Sequence, residues 1–281
     1  MLNAKAQAII DDANVAKDPD RLKALTLDDY AALLCDPGRQ LDDWPWPFLN
    51  LVLPRMPSTD IQKKWVGDSG ESLLRTSTLP FLRSVEHYYQ AIRGPLNDVT
   101  VIDYGCGWGR FTRLLAKYTH PTNIWALDAL DVSLTLLKDC GVRCRALKVD
   151  PIPSRPPVDT QADLAIAFSV FTHTSERTTL AAMRAIANMS KPGAVFVFTI
   201  RPVEFWTLRQ RPELAVLHER DGFAFVGDGR VMFDGEDTYG AASMTIARCD
   251  KMLAETGWQF VRSERADIDP YQVRVVARRQ S

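Results

Sequence analysis

The segment VIDYGCGWGR at residues 101–110 constrains the fold more than any other part of the chain. Val101 and Ile102 belong to a strand-like apolar run, and Phe111, Leu114, Leu115 and Tyr118 follow at helical spacing. Between them, Gly105, Gly107 and Gly109 permit a sharp turn and a close approach of a ligand to the backbone. The helix that follows offers unpaired N–H groups and its positive dipole end. Strand-to-helix turns also use glycine for steric reasons alone, so the loop needs support from elsewhere in the chain. The dinucleotide fingerprint places its third glycine where this chain has Arg110, which argues against a nicotinamide or flavin ligand.

From residue 97 onward, short apolar runs alternate with helical patterns, as expected of βαβ units in a mostly parallel sheet. Strands are predicted at 99–103, 124–128, 142–147, 164–170, 194–200, 258–265 and 271–278. Only residues 266–270 separate the last two, too few for a helical crossover, so the last strand is expected to run antiparallel. Before residue 95 the chain reads as helices broken by proline. One passes through Ala8 and Val15, a second starts near Thr26, and Thr59 with Gln62 has the spacing of a capping box. The expected fold is therefore α/β: a Rossmann-like, mostly parallel seven-stranded sheet with an antiparallel last strand, plus an N-terminal helical region. The expected division is a helical cap at 1–95 and a main domain at 96–281, with a substrate-shaping insertion at about 201–240.

Acids stand at the predicted strand ends: Asp103 two residues before the first glycine, Asp128 about twenty residues beyond the loop, and Asp150 just past the third strand. In an open α/β sheet such ends converge on one crevice, where Asp128 is spaced to accept from a ribose diol and Asp103 from a cationic amine. This constellation resembles the class I S-adenosylmethionine-dependent methyltransferases over roughly residues 97–279. The resemblance implies S-adenosylmethionine as cofactor. It implies a binding set of Trp65, Asp103, Gly105, Cys106, Gly107, Asp128, Ala129, Asp150, Pro151, Phe168 and Ser169. Within it, Asp103 would support the methionine moiety, Asp128 the ribose, and Asp150 with Pro151 the adenine. Phe168 to Val170 would lie near the sulfonium, and Lys191, Pro192 and Gly193 would form the turn before the fifth strand. SVFTH at 169–173, WVGDSGES at 65–72 and DTYG at 237–240 are similar to bacterial methyltransferases associated with cell-surface glycans. That narrower likeness implies methylation of a sugar or glycan-linked hydroxyl.

A hydroxyl acceptor must be aligned with the methyl group and must lose a proton. His173, just past the fourth strand, is the first candidate base, with capping of the following helix as its other reading. His218 is a second candidate base and Tyr239 a candidate to orient the acceptor; each is also an ordinary loop or core residue in type. Within the insertion, 223–226 and 231–233 read as a hairpin around Gly227, Asp228 and Gly229. Arg201, Arg209 and Arg211 match an acceptor phosphate or a solvated helix face. No residue is assigned to a metal. Cys140 and Cys144 fit no familiar zinc spacing, and Asp234, Glu236 and Asp237 form only an acidic loop available to a divalent ion.

Composition narrows the partners. The formal net charge of -1, without a long run of one sign, argues against nucleic acid, and no apolar stretch is long enough for stable membrane insertion. Five cysteines without a CxxC pair, and a first segment unlike a secretory signal, point to the cytoplasm. The expected partner is a small-molecule or glycan acceptor. Other acceptors, including natural-product oxygens and nitrogens, stay open because the cofactor motifs are blind to the nucleophile, although SVFTH replaces the Asn-Pro-Pro-aromatic tetrad of nucleobase N-methylation. A domain that binds the cofactor without turnover, as a scaffold, is the reading from a different class.

Overall fold

The computed structural model describes residues 2–266 and 269–281. Its first part is helical: α1 (Ala4–Val15), α2 (Leu27–Leu34), α3 (Pro47–Val52), α4 (Thr59–Val66), α5 (Gly70–Leu73) and α6 (Leu79–Arg93). Asn3, Thr26 and Ser58 cap α1, α2 and α4 by accepting from backbone N–H groups of the first turn. The expected capping box is displaced by one residue. Ser58, not Thr59, is the cap, and Gln62 turns away to donate to the Pro57 carbonyl and accept from Gly70 N. Between α5 and α6 the turns widen into a π-helical stretch, Leu74–Thr78.

The second part alternates: β1 (Val101–Tyr104), α7 (Thr112–Leu115), β2 (Ile124–Asp128), α8 (Asp131–Asp139), β3 (Arg145–Lys148), β4 (Ala162–Ala167), α9 (Glu176–Asn188) and β5 (Ser190–Ile200). Then come α10 (Glu204–Leu208), α11 (Pro212–Asp221), β6 (Phe223–Gly227), β7 (Met232–Phe233), β8 (Glu236–Asp237), β9 (Gly240–Met244), α12 (Ile246–Glu255), β10 (Trp258–Arg265) and β11 (Val273–Arg279). Seven strands form one sheet in the order β10-β11-β5-β4-β1-β2-β3. β3, β2, β1, β4 and β5 pair in parallel, and β11 inserts antiparallel between β5 and β10. The expected fold is borne out, including the antiparallel last strand; residues 267 and 268 of the predicted connection lie outside the described residues.

Alternation along the strands explains why they are apolar on both sides. Val101, Leu164, Ile166, Val195 and Val197 pack on one face with Phe81, Leu82 and Val85 of α6 and Leu114 and Leu115 of α7. Ile102, Ala165, Phe196 and Phe198 pack on the other with Met183 and Ile186 of α9 and Met252 and Leu253 of α12. Residues 1–95 thus share a core with one face of the sheet.

Several boundaries differ from expectation. β3 starts at Arg145 rather than Val142, β4 ends at Ala167, so that Phe168–Val170 belong to the loop beyond it, and β11 starts at Val273. Lys191, Pro192 and Gly193 lie inside an irregular start of β5, where its register with β4 shifts, rather than in a turn before it. The expected hairpin of 223–226 with 231–233 does not form: β6 pairs with β9, and β7 pairs with β8 across Asp234 and Gly235. Both turn residues have positive φ, 51° and 78°, the conformation that a two-residue type I′ turn demands and that Asp-Gly accommodates.

Candidate active site

The tips of β1, β2 and β4 open onto a cavity of about 600 Å³, within the range of small-molecule sites. Its floor is the glycine loop. Gly105 N and Cys106 N both donate to the Leu127 carbonyl, tying the loop to the end of β2. Gly105 has φ +71°, and a Cβ there would overlap the Val170 side chain. Gly107 has φ +54°, and its open face lies under the Trp65 ring.

Asp128 ends β2 on the cavity wall. One carboxylate oxygen accepts from Gly107 N at 2.8 Å and the other from Leu130 N at 2.9 Å. A carboxylate has roughly four acceptor positions, so lone pairs remain for a ligand. Burial raises the Asp128 pKa above the usual carboxylate range, opposed by these N–H bonds. Just past β3, Val149 and Pro151 line the wall, while Asp150 is exposed and does not.

Asp103 does not line the cavity. Its side chain is buried behind the loop, with one oxygen accepting from Thr112 Oγ1 at 2.6 Å, and burial pushes its pKa up to about 7. Arg110 does line it. The guanidinium lies over Phe111 and Phe168 at 4.5 and 4.7 Å and donates to Ser77 Oγ at 3.0 Å, with its pKa lowered to about 10 by burial. The π-helical stretch turns Thr76 and Ser77 toward this end of the cavity, which Trp65 and Asp68 also border.

Beyond β4, Ser169 takes a left-handed backbone, φ +58°, rare for a residue with a side chain and typical of strained functional loops. Its N–H donates to Thr199 Oγ1 at 2.8 Å. β9 then clamps the same loop, because Gly240 N donates to the His173 carbonyl and Ala242 N to the Thr172 carbonyl. His173 is held on every side. Its ring stacks on Tyr239 at 5.2 Å, Nδ1 lies 2.7 Å from the Gly240 carbonyl, and Nε2 lies 3.2 Å from Arg201 Nη2. A carbonyl can only accept, so Nδ1 carries the proton and Nε2 accepts from Arg201. Burial, and then the Arg201 charge, pull the imidazole down to about 4. Ser175, not His173, caps α9.

Of the sequence candidates, Trp65, Gly105, Cys106, Gly107, Asp128, Ala129, Pro151, Phe168, Ser169, His173 and Tyr239 all line this one cavity. Asp103, Asp150 and His218 do not. His218 is buried on α11, where Nδ1 shares the Ser243 hydroxyl with Trp206 Nε1. Arg201 lines the cavity, but Arg211 pairs with Glu213 and Arg209 ends α10 away from it. Asp234 is a turn residue, Glu236 pairs with Arg177, and Asp237 accepts from Gly229 N. No group of three or more His, Cys, Asp or Glu among the described residues is placed to hold a metal, and no helix among them is long and apolar enough to cross a membrane. Sequence reasoning missed Arg110, Val149 and Gln272 as wall residues.

Comparison with known proteins agrees with this fold. Residues 101–193 match a family described as a methyltransferase domain. None of the curated proteins compared with the chain matches it. Among solved structures, magnesium protoporphyrin IX methyltransferase from Synechocystis PCC 6803, with bound S-adenosylhomocysteine, is 15% identical at a TM-score of 0.53. That match covers 79% of this chain and 94% of the other. The 1,6-didemethyltoxoflavin-N1-methyltransferase of Burkholderia thailandensis is 14% identical at 0.51, covering 79% and 86%. An S-adenosylmethionine-dependent methyltransferase from Clostridium acetobutylicum ATCC 824 is 14% identical at 0.52, covering 75% and 96%. At these identities the structural likeness shows the fold, and the matched domain supplies the class. Residues 101–193 thus carry a methyltransferase domain, set in a Rossmann-like α/β fold.

Proposed function

We propose that this chain is an S-adenosylmethionine-dependent methyltransferase that acts on a hydroxyl of a sugar or glycan-linked acceptor. One observation carries the reading. The three segments that resemble glycan-associated methyltransferases lie far apart in the chain, yet Trp65 and Asp68 from the first, Ser169 and His173 from the second, and Thr238 and Tyr239 from the third border one cavity. Hydroxyl and amide side chains around it, among them Thr76, Ser77, Ser169, Thr238 and Gln272, suit a polyhydroxylated ligand better than a flat apolar one.

The residues present fit the cofactor. Asp128 has acceptor capacity left for a ribose diol, Val149 and Pro151 form an apolar wall for adenine, and the bare backbone of Gly105 and Gly107 permits close approach beneath Trp65. Arg110, with Ser77, is assigned to the amino-acid carboxylate, since a guanidinium buried without a carboxylate partner is costly until an anion arrives. When bound, S-adenosylmethionine supplies a methyl group on a sulfonium. The chain's own residues then have two tasks, to align the acceptor and to receive its proton. Tyr239 stacks on His173 and orients the acceptor from the insertion side. His173 is neutral near pH 7, and Nε2 can take the acceptor's proton only by giving up its bond from Arg201; at about 4 it is also a weak base, so alignment carries most of the rate. His218 has no part in this assignment.

The test combines purified protein and S-adenosylmethionine with sugars and nucleotide-linked sugars, reading S-adenosylhomocysteine formation and locating the new methyl group by NMR. An O-methyl sugar is expected. His173→Ala is expected to lower kcat by about a hundredfold, while His218→Ala keeps it. Turnover confined to amines, or cofactor binding with no turnover on any extract from the source cells, refutes the reading.

A further inference from the structure

We propose that the acceptor is anionic and that Arg201 binds its carboxylate or phosphate. The inference rests on the reading of this cavity as the methyl-transfer site and on the placement of Arg110 at the cofactor carboxylate.

Arg201 follows the last residue of β5 and reaches into the acceptor end of the cavity. Nη1 donates to the Thr172 carbonyl at 2.7 Å, Nη2 to His173 Nε2 at 3.2 Å, and the guanidinium lies 4.0 Å over the Phe205 ring. Both hydrogen-bond partners are neutral. No carboxylate among the described residues lies within 4.0 Å of the guanidinium, and Asp269, which also lines the cavity, stays beyond that distance. Of the other charged groups nearby, Asp228 is occupied by Arg230 at 2.7 Å. A guanidinium carries five N–H donors, so the two bonds fix its orientation and leave the others unused. A half-buried, stacked and preoriented cation with no carboxylate among the described residues within 4.0 Å is an arrangement that an incoming anion completes. S-adenosylmethionine brings one carboxylate, and the cavity holds two such arginines.

Gln272 supplies the second, independent demand. Its Nε2 donates to Ser169 Oγ at 3.3 Å, whereas its buried Oε1 has no partner. An orphaned buried acceptor in a cavity wall asks for an O–H or N–H donor. The acceptor end therefore requires an anion at Arg201 and a donor at Gln272. A uronic acid or a sugar phosphate meets both requirements, and a neutral hexose meets only the second.

The experiment is a calorimetric titration at constant ionic strength of protein saturated with S-adenosylhomocysteine. The probes are D-glucuronate, a glucose phosphate and glucose, applied to the wild type, Arg201→Gln and Arg201→Lys. At least one anionic sugar is expected to bind the wild type more tightly than glucose does. Arg201→Gln should weaken that binding by about tenfold or more, the worth of a hydrogen bond to a charged group, and Arg201→Lys should keep part of it. Which anion binds separates carboxylate from phosphate. S-adenosylhomocysteine affinity should be unchanged in both variants. Equal binding of glucose and the anionic sugars by the wild type, or equal anion binding in Arg201→Gln, overturns the proposal; so does a loss of cofactor affinity in that variant, which would place Arg201 on the cofactor. If Arg201→Gln does not fold, Arg201→Lys and the wild-type contrast with glucose still decide. Failure of the wild type to bind S-adenosylhomocysteine would instead remove the assignment of the cavity, and the same titrations on unliganded protein would then test Arg201 alone.

Discussion

Replacing Asp103 with asparagine is expected to stabilise the protein at pH 8 more than at pH 5. The wild-type carboxyl sits 1% exposed behind the glycine loop, accepts one hydrogen bond from Thr112, and is pushed up to about 7 by burial. In the unfolded chain it would ionise near the ordinary value of 3.8. Between those two values the folded state binds more protons than the unfolded state, so wild-type stability falls as pH rises through the window and levels off above it. The whole shift corresponds to roughly 4 kcal/mol, of which roughly 2 to 3 kcal/mol falls between pH 5 and 8. Asparagine keeps an oxygen for Thr112 and removes the titration. Urea unfolding of both proteins at several pH values, followed by tryptophan fluorescence, gives the difference in stability directly. A difference that stays flat across the range would show that Asp103 is ionised throughout, held so by the neighbouring Arg110 charge, and would refute the burial argument.

Gly105→Ala places a Cβ against Val170 at φ +71°. The backbone strain alone costs about 1–2 kcal/mol, so a lowered melting temperature with loss of S-adenosylhomocysteine binding is expected; a variant with wild-type affinity would show that the loop is not pressed against the ligand. Asp128→Ala removes the acceptor of Gly107 N and Leu130 N and, on the proposed assignment, the ribose contact. A rise in the S-adenosylhomocysteine Kd of about a hundredfold is expected from the loss of charge-assisted bonds, measured by titration calorimetry. An unchanged Kd with lowered stability would make Asp128 a loop-organising residue only.

Much of this architecture was legible because its signals are local. β1, the glycine turn and the helix after it announce themselves within twenty residues, and β2 and β10 fall where their apolar runs lie. Asp150 was placed by spacing alone. β3 ends at Lys148, and the Val149 N–H bonds back to the Asp128 carbonyl, so that Val149 turns inward and its neighbour faces solvent. In the insertion the decisive signal was the dipeptide Asp234-Gly235, which marks a tight hairpin; read instead as part of an acidic loop, it left β6 without its true partner β9. Arg110 was seen only as an interruption of a glycine pattern, although the aromatic faces of Phe111 and Phe168 and the hydroxyl of Ser77 hold it in the wall. Gln272 had no local signal at all. Its partner Ser169 is 103 residues away in the chain, and only the insertion of β11 beside β5 brings the two together.

On the proposed assignment, the cofactor end and the acceptor end of the cavity are built from different kinds of sequence. The cofactor end consists of strand tips and the turns directly attached to them, so its geometry follows from the sheet. The acceptor end is assembled from the π-helical stretch before α6, the β4 loop clamped by β9, Arg201 at the end of β5, and Gln272 ahead of β11. Their cavity-lining side chains Thr76, Ser77, Ser169, Arg201 and Gln272 can change without disturbing the strand order, since these five lie outside the apolar cores on the two faces of the sheet. Structures that share this sheet at about 15% identity accordingly carry names as different as a protoporphyrin and a toxoflavin methyltransferase. On the proposed reading, discrimination among acceptors resides in the groups at this end whose hydrogen-bonding capacity the protein itself leaves unfilled, and Arg201 and Gln272, which both line the cavity, are two of them.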